Sequence, residues 1–381
     1  MEKKMNVLHI CPSFNNDIYT QLVERQMAYG DKLRVFYFRA KGTGAPNGDR
    51  DYVDAVHPYR NMDRASFYYK EQKILRSFFS IYQNEYDLIH AHTLFSSGYI
   101  AYRAHQKWGT PYIVSVRATD LMPFFKYRVY LRKLGIDILE KAQAIIFLSQ
   151  MHVNELFEKY VPQSKRDALM KKTFVIPNGI DRFWFENEGP IKQKQPGKDV
   201  HVIFYGDIVF RKNIETTIKA CRLLIKEGYR VKYTVIGEVL DKQYGPMIAN
   251  NDFIDYHHFM PKEEIVNYLR QADIMVMPSR AETFGLTYAE AMTQGVPVIY
   301  TKGQGFDERF PEGTVGYHVK ATDAEQIVEK IKLILSDISA ISENCLHCTG
   351  DFNWDSVAER FQKIYEDIVS DHEIPQKKDH E

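Results

Sequence analysis

The segment DIMVMPSRAETFGLTYAEAMTQGVPVIY, residues 273–300, holds an apolar run, a polar loop, a helical pattern and a second apolar run in one stretch. Two short apolar runs joined through a helix read as parallel strands of a sheet that is covered on both faces. The loop carries Glu282 and then Phe284-Gly285-Leu286, and Glu290 follows Glu282 with seven residues between them. The amides of residues 284–286 fall at or near a helix N-terminus, where free N–H groups and the helix dipole favour an anion, and Gly285 lets a ligand approach the backbone. Carboxylates beside an anion pocket make chemical sense if they accept hydrogen bonds from the hydroxyls of a sugar and a ribose. The plainer alternative is an ordinary strand, loop and helix with two solvated glutamates.

Outward from this segment the same alternation continues. Upstream, the strands VHVIFYG and YTVIG and a strand ending near residue 258 alternate with helical patterns over 214–227 and 263–271. This series begins after PNGIDRFWFENEGPIKQKQPGKD, residues 177–199, where Pro, Gly and charge crowd together as at a domain boundary. Before it, NVLHI, LRVFYF, DLIHAH, YIVSV, AIIFLS and TFVIP alternate with helices over 18–29, 65–82, 98–108, 124–142 and 152–159. The reading is α/β, with two doubly wound parallel-sheet domains over 1–180 and 181–353. A last helix places Val357, Phe361, Ile364, Tyr365 and Ile368 at helical spacing, so it buries one face, and 354–370 is expected to pack back on the first domain. At 381 residues the chain is long enough for two cores.

Lys plus Arg and Asp plus Glu are both 50, so no global field draws the chain to nucleic acid, and an electrostatic partner must be met by a local patch. The opening MEKKMNVLHICPSF reads as a strand rather than a signal peptide, which gives a cytoplasmic expectation. No stretch approaches the roughly 20 apolar residues of a spanning helix. Cys345 and Cys348 are close, but without a second ligand pair they read as reduced structural thiols rather than a zinc site. No Gly-x-Gly-x-x-Gly follows the first strand and no Walker A loop occurs, which argues against a dehydrogenase or a P-loop enzyme.

Glu-x7-Glu with Phe-Gly-Leu inside it, preceded by Pro-Ser and followed by E-A-M-x-x-G-x-P-V-I, closely resembles the donor-site signature of retaining glycosyltransferase family 4. HAHTLFSSGYIA near residue 90, VIPNGID at 175–181, FYGDIVFRKNIETTIKA at 204–220, VIGE at 235–238 and HHFMPKEEIVNYLRQADIMVMPS at 257–279 agree with it in order and spacing. The resemblance implies the GT-B fold, two Rossmann-like domains facing a central cleft. It also implies that Glu282 faces the donor sugar, Glu290 binds the ribose, Phe284, Gly285 and Leu286 hold the pyrophosphate, and Lys212 neutralises the departing diphosphate. Gly206 and Met260 fall at donor-contact positions, Met260 near the base.

The chain departs from the family pattern at three places. Asp207 follows Gly206 where an arginine is common, so Arg211 is the candidate second phosphate cation. Arg117, in VSVRATDL, stands where many members have a histidine, with Asp120 retained; arginine is no base at neutral pH, but it can bind phosphate or position an acceptor, the alternative being a salt bridge to Asp120. Asn15 and Asn16 stand in a loop that is often glycine-rich. His90 and His92 share a face by strand alternation, and His92 is read as an acceptor-side residue rather than a metal ligand.

The function these features imply is transfer, with retention, of a hexosyl or N-acetylhexosaminyl group from a nucleotide diphosphate sugar to a glycan or lipid-linked acceptor in cell-surface polysaccharide biosynthesis. No metal or cofactor is expected beyond the donor substrate. The alternatives are a nucleotide-sugar epimerase on the same fold and a silent paralogue that binds donor without transferring it. Lys and Arg interleave with Phe and Tyr in PFFKYRVYLRKLG, 123–135, and SFYYKEQKILRSFF, 66–79, which makes peripheral contact with the inner face of the cell membrane a further expectation. The plainer reading of both has the aromatics in the core and the cations solvated.

Overall fold

A computed structural model describes residues 4–14, 17–44, 50–193 and 197–373. The chain divides into two compact units: one takes in the chain up to Leu148, His152–Asn178 and the chain from Trp354 onward, the other Ser149–Met151 and Gly179–Asn353.

The first unit holds β1 (Asn6–Ile10), β2 (Lys32–Ala40), β3 (Val53–Tyr59), β4 (Leu88–Ala91), β5 (Tyr112–Val116), β6 (Ala144–Phe147) and β7 (Thr173–Val175). They form one sheet in the order β3-β2-β1-β4-β5-β6-β7, and every pairing is parallel. Every residue of β4, β5 and β6 is buried, which is why these strands read as continuous apolar runs rather than alternating ones. Helix Trp354–Glu373 lays Trp354, Val357, Phe361 and Tyr365 into one core with Val7, Cys11, Val35 and Ile113, against helix Asp17–Ala28. Each such side chain removed from water contributes about 1.5–3 kcal/mol.

The single helix expected over 124–142 is three pieces: a wide helical turn at Asp120–Lys126, a tight one at Val129–Leu131 and an α-helix at Arg132–Lys141. Pro123 supplies no N–H inside the first piece, and the Arg132 guanidinium donates to the Phe125 carbonyl at 2.7 Å, which ends that piece.

The second unit holds β8 (Asp199–Tyr205), β9 (Arg230–Ile236), β10 (Ile254–His257), β11 (Ile274–Val276), β12 (Val298–Thr301) and β13 (Gly316–Val319), all parallel, in the order β10-β9-β8-β11-β12-β13. In each sheet the strand order reverses once, between β1 and β4 in the first and between β8 and β11 in the second. Connections on the two sides of such a reversal leave in opposite directions and open a crevice at the carboxyl ends of the strands, where ligands of doubly wound sheets bind. Among the described residues no helix is long and apolar enough to cross a membrane.

Candidate functional site

In the second unit the two loops at the reversal point carry the charged residues that stood out in the sequence. The loop after β8 leads through Gly206, Asp207 and Arg211 to Lys212; the loop after β11 leads to Glu282. The Lys212 ammonium lies 2.6 Å from a Glu282 oxygen and 3.3 Å from the Met277 sulfur, with both charged side chains only 10% exposed. An ammonium has three donors, so this geometry leaves one for a ligand. Arg211 sits 3.9 Å from the same Glu282 oxygen on a half-exposed side chain, and Asp207 is exposed.

The loops are tied to each other by residues that motif reading did not single out. The Asn213 amide donates to the Pro278 carbonyl at 2.8 Å. Arg280 stacks on Phe210 at 4.2 Å, pairs with Glu215 at 2.7 Å and donates its backbone N–H to the Arg211 carbonyl at 2.7 Å. The Glu282 N–H donates to the Gln304 side-chain oxygen at 2.8 Å, and the Gly305 N–H donates to the Glu282 carbonyl at 3.0 Å. A Cβ on Gly305 would stand 1.8 Å from the Thr283 carbonyl oxygen, so only glycine lets the segment after β12 brace this loop.

Helix Leu286–Met292 follows at once, with Gly285 at φ +80° ahead of its first residue. A Cβ at Gly285 would meet the Tyr288 ring at 2.5 Å. The Phe284 ring is buried beside Phe306 and Phe352, so it anchors the turn. Leu286 is half-buried, and Met260 is buried. Glu290 lies within the helix, where the Tyr205 hydroxyl approaches its carboxylate at 3.0 Å and the Thr287 carbonyl at 2.8 Å. Burial pushes the Glu290 carboxyl up to about 7, against hydrogen bonds from Tyr205 and Trp184 that favour its ionised form.

In the first unit the matching position, beside β1 and β4, holds three histidines. His9 and His90 face each other across the strand pair, and His92 follows on the same face. His9 Nδ1 lies 2.9 Å from His92 Nε2, the rings of His90 and His92 stack at 4.0 Å, and candidate ligand nitrogens of all three lie within 4.8 Å of one another. Both nitrogens of His90 have partners, the Tyr365 hydroxyl at 2.6 Å and the Ser115 hydroxyl at 3.2 Å. Burial drives His9 down to about 3 and holds His90 and His92 well below the usual histidine range, so the cluster is neutral. His9 was not anticipated; its pairing with His90 depends on strand order.

Asp120 does not form the salt bridge considered for it. Its carboxylate accepts three backbone N–H groups, from Arg117 at 2.9 Å, Leu94 at 3.1 Å and Phe95 at 3.2 Å, and burial pushes it up to about 6 despite them. The Arg117 guanidinium donates to the His92 carbonyl at 3.3 Å and lies 5.7 Å from the Tyr19 ring centre. Asn15 and Asn16 lie outside the described residues. Cys345 and Cys348 share helix Ile338–Cys348, and the buried Cys345 thiol donates to the Val315 carbonyl at 3.4 Å.

Two doubly wound parallel sheets, the second with a charged reversal point, define a two-domain α/β protein of the GT-B class. The profile of the family Glycosyl transferases group 1 matches residues 186–349, and that of Glycosyltransferase Family 4 matches residues 19–182. The chain belongs to this glycosyltransferase family. It is 23% identical to a D-inositol 3-phosphate glycosyltransferase of Thermobispora bispora, over 82% of this chain and 78% of that one. Sucrose-phosphate synthase of Thermosynechococcus elongatus superposes with a TM-score of 0.72 at 18% identity, covering 97% of this chain and all of that one. Anabaena HepE, solved in complex with UDP-glucose, superposes with a TM-score of 0.63 at 16% identity, over 96% of this chain and 100% of that one.

Proposed function

We propose that this glycosyltransferase moves a hexosyl or N-acetylhexosaminyl group from a nucleotide diphosphate sugar to a glycan or lipid-linked acceptor, with retention of configuration, in the assembly of a cell-surface polysaccharide. The observation that carries the donor part is the buried Lys212–Glu282 pair at the reversal point of the second sheet. Charge accumulates on the diphosphate as the glycosidic bond breaks, and a fixed ammonium in a water-poor site stabilises it. Lys212 supplies that charge, Glu282 orients it and accepts from the donor sugar's hydroxyls, and Arg211 adds a second cation at the rim. The backbone at Phe284, Gly285 and Leu286 receives the pyrophosphate, Glu290 takes the ribose hydroxyls, and Gly206 and Met260 border the nucleotide. The UDP-glucose in the HepE complex supports a nucleotide-sugar donor.

For the chemical step we favour attack from the face the diphosphate leaves. A donor phosphate oxygen takes the acceptor proton, the new glycosidic bond forms as the old one breaks, and the nucleoside diphosphate departs. No metal or other cofactor enters this step. Arg117, a permanent cation in the first unit, binds phosphate or orients the acceptor there, with His92 and Asp120 shaping the wall behind it.

The first experiment is thermal stabilisation by a panel of UDP-, GDP-, ADP- and dTDP-sugars, repeated on Glu290→Ala and Lys212→Ala, since a ligand bound only by the native state raises its stability. A shift with one nucleotide class, lost in both variants, supports the donor site; the absence of any shift would sink it. With donor and acceptor in hand, the anomeric proton coupling of the product reports retention or inversion. Interconversion of the donor alone would instead reveal an epimerase.

A further inference from the structure

At the reversal point of the first sheet, Arg117 follows β5, His92 follows β4, and Tyr19 stands in the first turn of helix Asp17–Ala28, which follows β1. These are the carboxyl ends of three adjacent parallel strands. A guanidinium has five N–H donors. That of Arg117 gives one, from Nε, to the His92 carbonyl at 3.3 Å, and among the described residues the four on its two Nη atoms have no partner. No carboxylate among the described residues lies within ion-pair distance of it, because Asp120 turns both oxygens to backbone N–H groups. Burial first, and the charge of Arg117 with it, hold His90 and His92 well below the usual histidine range, so the rings beside the cation are neutral.

Tyr19 stands next to this charge. The guanidinium lies 5.7 Å from the centre of its ring, which is edge-on to His92 with 5.1 Å between centres. Its side chain is half-buried, and its hydroxyl has no partner among the described residues. A half-buried cation without a counter-ion keeps its desolvation cost until an anion arrives. Two parallel N–H groups of a guanidinium match two oxygens of a carboxylate or a phosphate, and a phenol hydroxyl can give a third bond to the same group. A neutral sugar hydroxyl accepts one such bond and leaves the charge unanswered. The donor diphosphate is provided for in the second unit by Lys212 and Arg211, so the anion that answers Arg117 belongs to the other substrate.

We propose that the acceptor carries an oxyanion, the carboxylate of an acidic sugar or a phosphate ester, which Arg117 binds through both Nη atoms with the Tyr19 hydroxyl as a third donor. This rests on the sugar-transfer reading and deepens it, since it names the chemistry of the acceptor.

The test compares matched acceptors by nucleoside diphosphate release, with the donor found by the panel. Methyl glucoside is set against methyl glucuronide and glucose 6-phosphate, and the corresponding galactose compounds are treated alike. The parent, Arg117→Gln, Arg117→Lys and Tyr19→Phe are measured, and their melting temperatures confirm folding. The parent should favour the carboxylate or the phosphate arm over its neutral counterpart by roughly tenfold or more in kcat/KM, the value of a hydrogen-bonded charge. That preference should fall towards one in Arg117→Gln, survive in part in Arg117→Lys, which keeps the charge without the fork, and weaken severalfold in Tyr19→Phe. Equal use of neutral and acidic acceptors, or a preference that Arg117→Gln retains, overturns the proposal. So does a donor-induced melting shift that Arg117→Gln abolishes, because the cation would then serve the diphosphate. If no acceptor turns over, the acidic compounds should still raise the parent's melting temperature and not that of Arg117→Gln, and no shift with any of them overturns the proposal. Failure of the sugar-transfer reading shows separately, as the absence of any donor shift in the parent.

Discussion

The two sheets share one topology and one kind of reversal point, yet they fill it with opposite chemistry. In the second unit Lys212 and Glu282 pair at 2.6 Å on loops braced by Asn213 and Gln304. In the first unit the same place is occupied by three histidines that burial keeps unprotonated, by an aspartate enclosed by backbone amides, and by Arg117 against the His92 carbonyl. A charge kept in a nearly dry site has a use only if something of opposite sign arrives or develops there. The comparison therefore leaves the paired charge to the second unit and, in the first, a single cation, Arg117, beside uncharged rings.

The largest expected effect comes from breaking the charged pair. Lys212→Ala should lower kcat by roughly 10²–10³, the loss seen when one fixed donor to developing charge is removed, measured as nucleoside diphosphate release with the donor found by the panel. It should also destabilise the second unit by about 3–5 kcal/mol, because Glu282 is left nearly buried without its partner. Lys212→Met with Glu282→Gln removes both charges, so it should recover much of the stability and none of the activity. Recovery of turnover in that double variant would show that the pair is structural, and the contrast between the units would collapse.

Acid should separate the units next. A histidine whose folded pKa is depressed contributes stability that is present above its unfolded value of 6.5 and lost as pH falls toward the folded value, which for His9 is about 3. A carboxyl whose folded pKa is raised does the reverse: its contribution is complete below the unfolded value and is lost as pH rises through the folded one. For Asp120 that window runs from 3.8 to about 6, with a size on the order of 3 kcal/mol, and for Glu290 from 4.5 to about 7. The first unit has three histidines with lowered values beside one aspartate with a raised one, whereas Glu290 carries the raised value at the site of the second. Hydrogen exchange, corrected for intrinsic rates, should show protection in the first unit falling on acidification below 6.5, while protection around Glu290 holds or rises. Parallel loss around the three histidines and around Glu290 would refute the assignment of these groups; His201, lowered to about 4 at the far end of β8, is expected to cost the second unit protection of its own in acid.

How much of this was legible in the sequence follows from how local each feature is. The strand-loop-helix segment around Glu282 and Glu290 is contiguous, so its elements and its carboxylates were read directly. The apolar face of the last helix was also plain from spacing, since Phe361 and Tyr365 stand one turn apart. Strand β3 was not read: VDAVHPY lacks alternation and carries Pro58, which an edge strand tolerates. His9 was missed because nothing local says that β1 lies beside β4. Asn213, Arg280 and Gln304 were missed because the partners through which they tie the loops are 22 to 108 residues away, and their role is to fix loops rather than to meet a ligand.

Gln304 allows a finer test of that bracing. Gln304→Ala removes the acceptor of the Glu282 N–H, a loss of about 1 kcal/mol in stability. If Glu282 must be held in place to orient Lys212, turnover should fall by roughly tenfold or more with KM for the donor little changed, since small misplacements of catalytic groups are expensive in rate. A variant that loses stability and keeps its turnover would reduce Gln304 to a packing residue.

The smallest effect expected is at Tyr205. Its hydroxyl carries one proton, shared between the Glu290 carboxylate at 3.0 Å and the Thr287 carbonyl at 2.8 Å. Tyr205→Phe should lower stability by only about 1 kcal/mol. The same hydrogen bond favours the ionised carboxyl, so its removal should raise the Glu290 pKa above about 7. An ionised carboxylate accepts from ribose hydroxyls more strongly than a protonated one, so donor affinity in the parent should weaken as pH falls through about 7, and in Tyr205→Phe the midpoint of that weakening should move to higher pH. A midpoint that stays where it was would mean that a group other than Glu290 governs donor binding. The charge that the second unit uses would then be confined to Lys212 and Glu282.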